Sequence, residues 1–391
     1  MIVGVCCGLI GTLFHHILGT VAEIFSANTF LIWFLIPIGI LVVLSYKFFK
    51  VDTKYSTVSI IKAVRNCEKV PFGLSCSIFI STTLTHLFGG SSGREGAALQ
   101  LGGSLAGMIS SVKFFRLGYL SRRALVASGM AGLFAALFGT PLAAAVFVLS
   151  IVNVKTIYKA ATIPCLVSSY ISYFVAGLLH SEAVRYTIPE ISLTLIPLSQ
   201  ICLIALLAGF VSIGFCFAIE YTKKFAALIK NEYIRIMVGG AAVLALTLVL
   251  GTNDYNGAGA NVIERAISGN ANPEAFVLKL LFTSITLGFG YKGGEIVPSF
   301  FVGSTFGCFV GSLIGLNPSV AAGVGMMAVF CGVTNCPIAS MILAAEVFGI
   351  ETLPIFIPVC LISFAFSGRH SLYGSRRLIL KDFMNRLVSA K

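Results

Sequence analysis

Apolar residues in this chain do not alternate with polar ones. They gather in long blocks near 1–22, 29–49, 72–89, 96–112, 124–152, 161–179, 192–219, 236–251, 276–290, 296–316, 319–349 and 353–367, separated by short charged or glycine-rich stretches. The blocks predict helices, and several reach roughly 20 residues, the length at which a helix crosses a bilayer. Others are shorter or interrupted by Gly and Pro. Broken helices survive at membrane depth only where protein encloses them or where they line a watery cavity, so the interruptions point to a transport pathway. The expected fold class is an all-α, multi-pass protein of the cell membrane built from broken and tilted transmembrane helices.

Composition agrees. Of 391 residues 57% are hydrophobic and 11% charged, against about 25% charged in a soluble domain. The net charge of +12 raises nucleic acid as a partner, but the basic residues sit in short loops: Lys47, Lys50, Lys54; Lys113, Arg116, Arg122, Arg123; Lys155, Lys159; Lys223, Lys224, Lys230; Arg376, Arg377, Lys381. They read as topology determinants facing the cytoplasm, with no soluble basic domain to hold nucleic acid. The eleven cysteines, mostly inside apolar blocks, read as small buried hydrophobes with neither disulfide nor zinc spacing. The first block lacks a basic n-region and a cleavage site, so it is expected to be the first membrane helix; its abrupt start suggests that a cytoplasmic segment precedes it.

The chemistry concentrates at Glu95. It lies in Gly89-Gly90-Ser91-Ser92-Gly93-Arg94-Glu95-Gly96, a glycine-dense turn between two apolar blocks. A carboxylate there is costly and marks function. The turn opens an apolar helix, whose first amides have no intrahelical partner and whose dipole presents its positive end, which makes an anion site with Gly93, Arg94 and Gly96 as candidate contacts. Neighbouring residues on a helix or turn rarely face each other, so Arg94 is not expected to pair with Glu95. Glu346, after the Pro337 break, is expected to brace helices instead of touching an ion.

The chain also echoes itself. Gly93, Glu95, Gly103, Ser104 and Gly107 recur at one displacement as Gly293, Glu295, Gly303, Ser304 and Gly307; Gly129, Met130, Phe134, Pro141 and Ala143 recur at a near-equal one as Gly325, Met326, Phe330, Pro337 and Ala339. Two ordered blocks of this kind indicate a duplication, with a first transmembrane repeat over 1–190 and a second over 191–391. In such transporters the site lies at the repeat interface, where helix N-termini point inward. Glu95 and Glu295 would meet there.

These residues carry a resemblance. Gly93-Arg-Glu-Gly-Ala-Ala-Leu-Gln100 resembles the Gly-Arg-Glu-Gly-Pro-x-Val-Gln signature of the CLC chloride channels and transporters, and Tyr291-Lys-Gly-Gly-Glu-Ile-Val-Pro298 resembles that family's Gly-Gly-x-Phe-x-Pro element. Tyr55-Ser-Thr-Val-Ser-Ile-Ile-Lys-Ala63 is similar to its Gly-Ser-Gly-Ile-Pro-Glu-Ile-Lys-Ala stretch, Gly257-Ala-Gly-Ala-Asn-Val-Ile263 also fits, and Tyr373 falls where the family keeps a pore tyrosine. The resemblance implies a CLC-type inverted repeat and a homodimer with one anion pathway per subunit. It implies that Ser56 and Tyr373 donate hydroxyls to a dehydrated halide while the amides of Ile296 and Val297 close the other side. Glu95 would be the gating glutamate: charged, it takes the outer halide position; protonated, it swings out.

Three departures qualify the resemblance. The stretch Phe147-Val-Leu-Ser-Ile-Val152 lacks the second, inner glutamate that exchangers of the family often carry. Glu295 sits where chloride-type members are usually apolar, and Gly-Gly-Glu before a β-branched residue resembles the fluoride-exporting branch; that branch commonly replaces Ser56, which is retained here. Ala97 and Ile296 replace a proline and a phenylalanine. The expected function is anion transport, chloride preferred, exchanged for protons through Glu95; a fluoride/proton antiporter and a passive chloride channel are the alternatives. No nucleophile set, His-Glu-x-x-His element or aspartate dyad marks an enzyme, and His15, His16, His86, His180 and His370 lack metal-ligand spacing. No Walker loop appears, so an ion gradient is the expected energy source; no metal or cofactor is expected beyond the transported halide and protons. Only a short basic tail follows Tyr373, so no cytoplasmic regulatory domain is expected.

Overall fold

The computed structural model describes residues 1–66, 68–111, 118–152, 155–191, 194–368 and 370–373. Cys67, Lys113, Arg116, Arg376, Arg377 and Lys381 lie outside the described residues, as does the side chain of Lys155. Sixteen α-helices and no strand occur among the described residues. The first eight are α1 (Ile2–Ala27), α2 (Leu35–Phe48), α3 (Thr57–Asn66), α4 (Leu74–Leu87), α5 (Glu95–Ser110), α6 (Tyr119–Phe138), α7 (Pro141–Val152) and α8 (Lys155–Leu178). The second eight are α9 (Leu195–Ala226), α10 (Glu232–Leu250), α11 (Ala260–Ile267), α12 (Ala275–Gly288), α13 (Ile296–Ile314), α14 (Pro318–Thr334), α15 (Pro337–Phe348) and α16 (Leu353–Phe366). Seven helical segments among the described residues are long and apolar enough to cross a membrane. Others are half-spans: α7, with 12 residues, is only about 18 Å long at 1.5 Å per residue.

Two apolar blocks, 124–152 and 319–349, are each split in two, the second at the break expected at Pro337. Gly139 (φ 68°) ends α6 and Asn335 (φ 55°) ends α14, both in the left-handed conformation. A proline then opens the next helix, Pro141 for α7 and Pro337 for α15. Proline suits a first turn because its missing N–H would have had no partner there. The duplicated Pro141 and Pro337 are therefore duplicated helix starts.

The duplicated glycines set the packing. Gly129 of α6 lies so close to α5 that a Cβ on it would stand 2.2 Å from the Gly102 carbonyl oxygen, and its echo Gly325 of α14 lies equally close to the Gly303 carbonyl oxygen of α13. Where the turns before α5 and α13 meet, Gly93 and Gly294 form an antiparallel bridge, Gly93 N donating to Gly294 O at 2.7 Å and Gly294 N to Gly93 O at 2.6 Å. A Cβ on Gly294 would meet the Gly96 nitrogen at 2.4 Å. No larger residue fits there without moving the backbone.

The seam also has carboxylate and aromatic supports. Glu346 of α15 accepts hydrogen bonds from Leu142 N (3.1 Å) and Ala143 N (2.8 Å) at the start of α7, the bracing role expected of it. The rings of Phe134, Phe147, Phe330 and Phe300 are linked at centroid distances of 5.2–5.7 Å, joining α6, α7, α13 and α14. Cys7, Cys165, Cys216, Cys308, Cys331, Cys336 and Cys360 are buried.

Two stability effects follow. Gly294→Ala should lower stability by about 1–3 kcal/mol because the added methyl must push the opposing turn aside; thermal unfolding of the detergent-purified protein measures it. Glu346→Ala should lower it by about 1–2 kcal/mol by uncapping α7, and should do so additively with a distant surface change.

Candidate anion site between two helix N-termini

Both glutamates of the duplicated motif sit at helix starts, and each reaches across the seam. Glu95 is the first residue of α5, is fully buried, and turns its carboxylate back toward Gly93. Oε2 accepts from Arg94 N at 2.9 Å. A Cβ on Gly93 would stand 2.5 Å from that oxygen, 2.9 Å from Pro298 Cδ and 3.2 Å from Val297 Cβ, so the carboxylate lies against the start of α13, with the amides of Glu95 and Val297 beside it. Glu295 caps α13 and does the converse. Its Oε2 is buried 3.0 Å from the position of a Cβ on Gly96, at the start of α5. Each carboxylate thus lies near the electropositive start of the other helix, Glu95 against α13 and Glu295 against α5, although Glu295 Oε2 makes no hydrogen bond with any described residue.

Arg94 does not behave as expected. Its Nε stands 3.5 Å from Glu95 Oε1, an ion pair between adjacent residues. Arg94 keeps near-helical dihedrals (φ −105°, ψ −16°); the pair forms because the Glu95 carboxylate folds back over the helix start, where Oε2 accepts from Arg94 N and Oε1 comes to the guanidinium. The guanidinium also contacts His15 Nδ1 at 3.2 Å and the Leu137 carbonyl at 3.5 Å, so it is committed to the protein on three sides. The backbone amide of Arg94 donates to Glu95 Oε2 while its guanidinium pairs with Oε1.

Ser56 begins α3: its carbonyl accepts from Ser59 N at 2.9 Å, and its own N–H donates to Ser59 Oγ at 3.2 Å. The Ser56 hydroxyl, on a half-buried residue, lies 3.4 Å from Ser59 Oγ, and Ser56 also lines a cavity of about 300 Å³. Glu295, Gln100, Lys223, Arg235 and Lys292 share that cavity. The structure therefore brings Ser56 and Glu295 to one space. Tyr373 is 98% buried, with its ring 6.1 Å from that of Phe147. It does not line the cavity, but both Glu295 and Glu95 are near enough for their charges to act on its hydroxyl, which makes no hydrogen bond with any described residue.

Sequence reading missed several participants. Lys223, taken as a topology determinant, ends α9 with its Nζ 3.9 Å from Glu295 Oε1. Gln100 of α5 donates to Thr57 Oγ1 at 3.2 Å, and Thr57 in turn donates to the Gly96 carbonyl at 3.2 Å, which ties α3 to the start of α5. Gln100 closes the signature stretch that begins at Gly93, but the sequence assigned it no role. At the inner end of α7, where no glutamate stands, Arg65 donates from Nε to the Val152 carbonyl at 2.9 Å and from Nη2 to that of Ile151. Among the described residues no cluster of His, Cys, Asp and Glu could hold a metal ion.

Comparison with known proteins gives the same picture. A family model described as voltage gated chloride channel matches residues 38–368. A chloride/fluoride channel protein of Pseudomonas syringae pv. tomato is 32% identical over 370 residues, 90% of this chain and 80% of that protein. The crystal structure of a CLC-type fluoride/proton antiporter superposes with a TM-score of 0.90 at 30% identity, covering 96% of this chain and 95% of that one. A slow cyanobacterial Cl⁻/H⁺ antiporter shares the fold, with a TM-score of 0.80 at 19% identity over 97% and 96% of the two chains. The duplicated turns, the crossed carboxylates and the sixteen-helix order are those of a multi-pass membrane protein that belongs to the CLC family of chloride channels and transporters.

Proposed function

We propose that this chain exchanges fluoride for protons, with Glu95 as the titratable gate. One observation carries the reading: two carboxylates, Glu95 and Glu295, stand at the crossed helix tips where a halide would sit. With both ionised, the site repels any halide. Protonation of either removes a charge and creates an O–H donor in place of an acceptor. Fluoride, the smallest halide and the strongest hydrogen-bond acceptor among them, gains most from such a donor, since hydrogen bonds to an ionised partner are roughly twice as strong as neutral ones. The same protonation then both admits the anion and moves a proton. The 30% identical antiporter structure supports this assignment over the chloride preference suggested by Ser56.

Chloride/proton exchange is the second reading, favoured by the Ser56 hydroxyl at the cavity wall. A passive chloride pore is the third reading, and the stretch 147–152 without an inner glutamate is the observation behind it. We also infer that two copies associate in the membrane, each with its own pathway.

An inward proton gradient should drive fluoride out of proteoliposomes, whereas a passive pore would ignore the gradient; fluoride and chloride electrodes on matched vesicles give the preference. Glu95→Gln should lower proton movement by about a hundredfold, the usual scale for removing a positioned proton-transfer group. Wild-type proton coupling in that variant would end the proposal. Glu295→Ala, which removes the second carboxylate, should raise chloride flux relative to fluoride; an unchanged ratio would return selectivity to Ser56.

A further inference from the structure

Two lysines are embedded beside the pathway in matching ways. Lys279 of α12 is fully buried. Its Nζ donates to the carbonyls of Tyr255 (3.1 Å) and Gly257 (2.8 Å) and stands 5.0 Å from the centroid of the Phe301 ring. Lys292, in the turn before α13, donates to the carbonyls of Thr53 (2.6 Å) and Tyr55 (3.3 Å) and stands 4.5 Å from the centroid of Tyr46. The two loops are repeat equivalents. Each leads into the short third helix of its half, α3 or α11, and Tyr55 and Tyr255 are related by the same displacement as Glu95 and Glu295.

Each clamped loop touches a different part of the site. The Gly257 carbonyl held by Lys279 also accepts from Ser92 N at 3.2 Å, and Asn256 Nδ2 donates to the Gly89 carbonyl at 2.8 Å. That loop is fastened to the turn that carries Glu95. The loop held by Lys292 ends in Ser56, at the wall of the cavity. A neutral side-chain amide, with two N–H donors, could brace two carbonyls without burying a charge. An ammonium is costly to bury, yet in a low-dielectric interior its field reaches an anion several ångströms away far more strongly than it would in water.

We propose that Lys279 and Lys292 are a pair of positioning residues, each fixing one of two repeat-related loops while holding an immobile positive charge beside the anion path. Lys279 positions the turn that carries Glu95, and Lys292 positions the loop that carries Ser56. Their roles separate accordingly: Lys279 acts on the link between anion and proton, Lys292 on anion capture from the cavity. This rests on the anion-exchange reading above.

The test compares wild type, Lys279→Met and Lys292→Met in proteoliposomes with fluoride and chloride, alongside amide hydrogen exchange of detergent-purified protein in halide-free buffer. Lys279→Met should reduce the proton-to-anion ratio at least about twofold with the anion half-saturation little moved, and Lys292→Met should raise the half-saturation about fivefold with the ratio kept. Lys279→Arg and Lys292→Arg, which keep the charge, should recover part of each effect. Exchange should rise in 255–259 and 89–93 for the first variant and in 53–57 for the second. Wild-type ratio and half-saturation in both variants, or equal loosening of both loops in each, would overturn the proposal. Should a Met variant fail to fold, Phe301→Leu and Tyr46→Leu remove the ring beside each ammonium and must show the same split in weaker form; its absence there overturns the proposal too. Hydrogen exchange needs no transport, so a wild-type protein that moves no halide would sink the exchange reading while still testing the clamps.

Discussion

The structure depends on one electrostatic arrangement: the amino ends of α5 and α13 face each other across the seam, and something negative must lie between them. Two unpartnered helix tips of like polarity, buried and apposed, would repel. Here the protein supplies its own negative charge from each side, Glu95 toward α13 and Glu295 toward α5. Much of the architecture can be understood as holding those tips at that separation. The Gly93–Gly294 bridge sets the distance between the turns, and the glycine contacts of α5 on α6 and of α13 on α14 let each half-helix sit close to its neighbour. Glu346 performs the same service for a third helix start, that of α7.

The motif spacing made the centre legible from the sequence. Glycine turns, the repeated Glu and the repeated Pro are local signals, because each reflects what a residue can or cannot do to its own backbone. Gly139 and Asn335 show the limit. Both end helices in the left-handed conformation, but within unbroken apolar blocks nothing in the hydrophobic pattern separates one bent span from two half-spans. The Arg94–Glu95 pair departs from the expectation for another reason: at a helix start the free amides draw the Glu95 carboxylate back toward Arg94, which the divergence of adjacent side chains along a helix does not take into account.

Long-range contacts were the least legible part. Lys223 sits in a basic run that topology alone explains, and only the fold brings it to Glu295, across more than seventy residues of sequence. Lys279 and Lys292 are similar cases: their partners are backbone carbonyls, which leave no trace in residue identity. Ser56 was found through its family motif, but its shared cavity with Glu295 required the folded chain.

The inner end of α7 has a consequence for how two ions can travel. Arg65 closes the last carbonyls of that helix with its guanidinium, so the place where a second acid might have opened a separate branch for protons is plugged by a cation. If halide and proton are exchanged as proposed above, they would share one corridor on that side, through the lysine- and arginine-rimmed cavity. In a single corridor the two fluxes cannot be tuned independently: widening the mouth for a bulkier anion also admits water, and water is a proton wire. Narrow ionic preference and tight stoichiometry become one property, set by the bore of one vestibule.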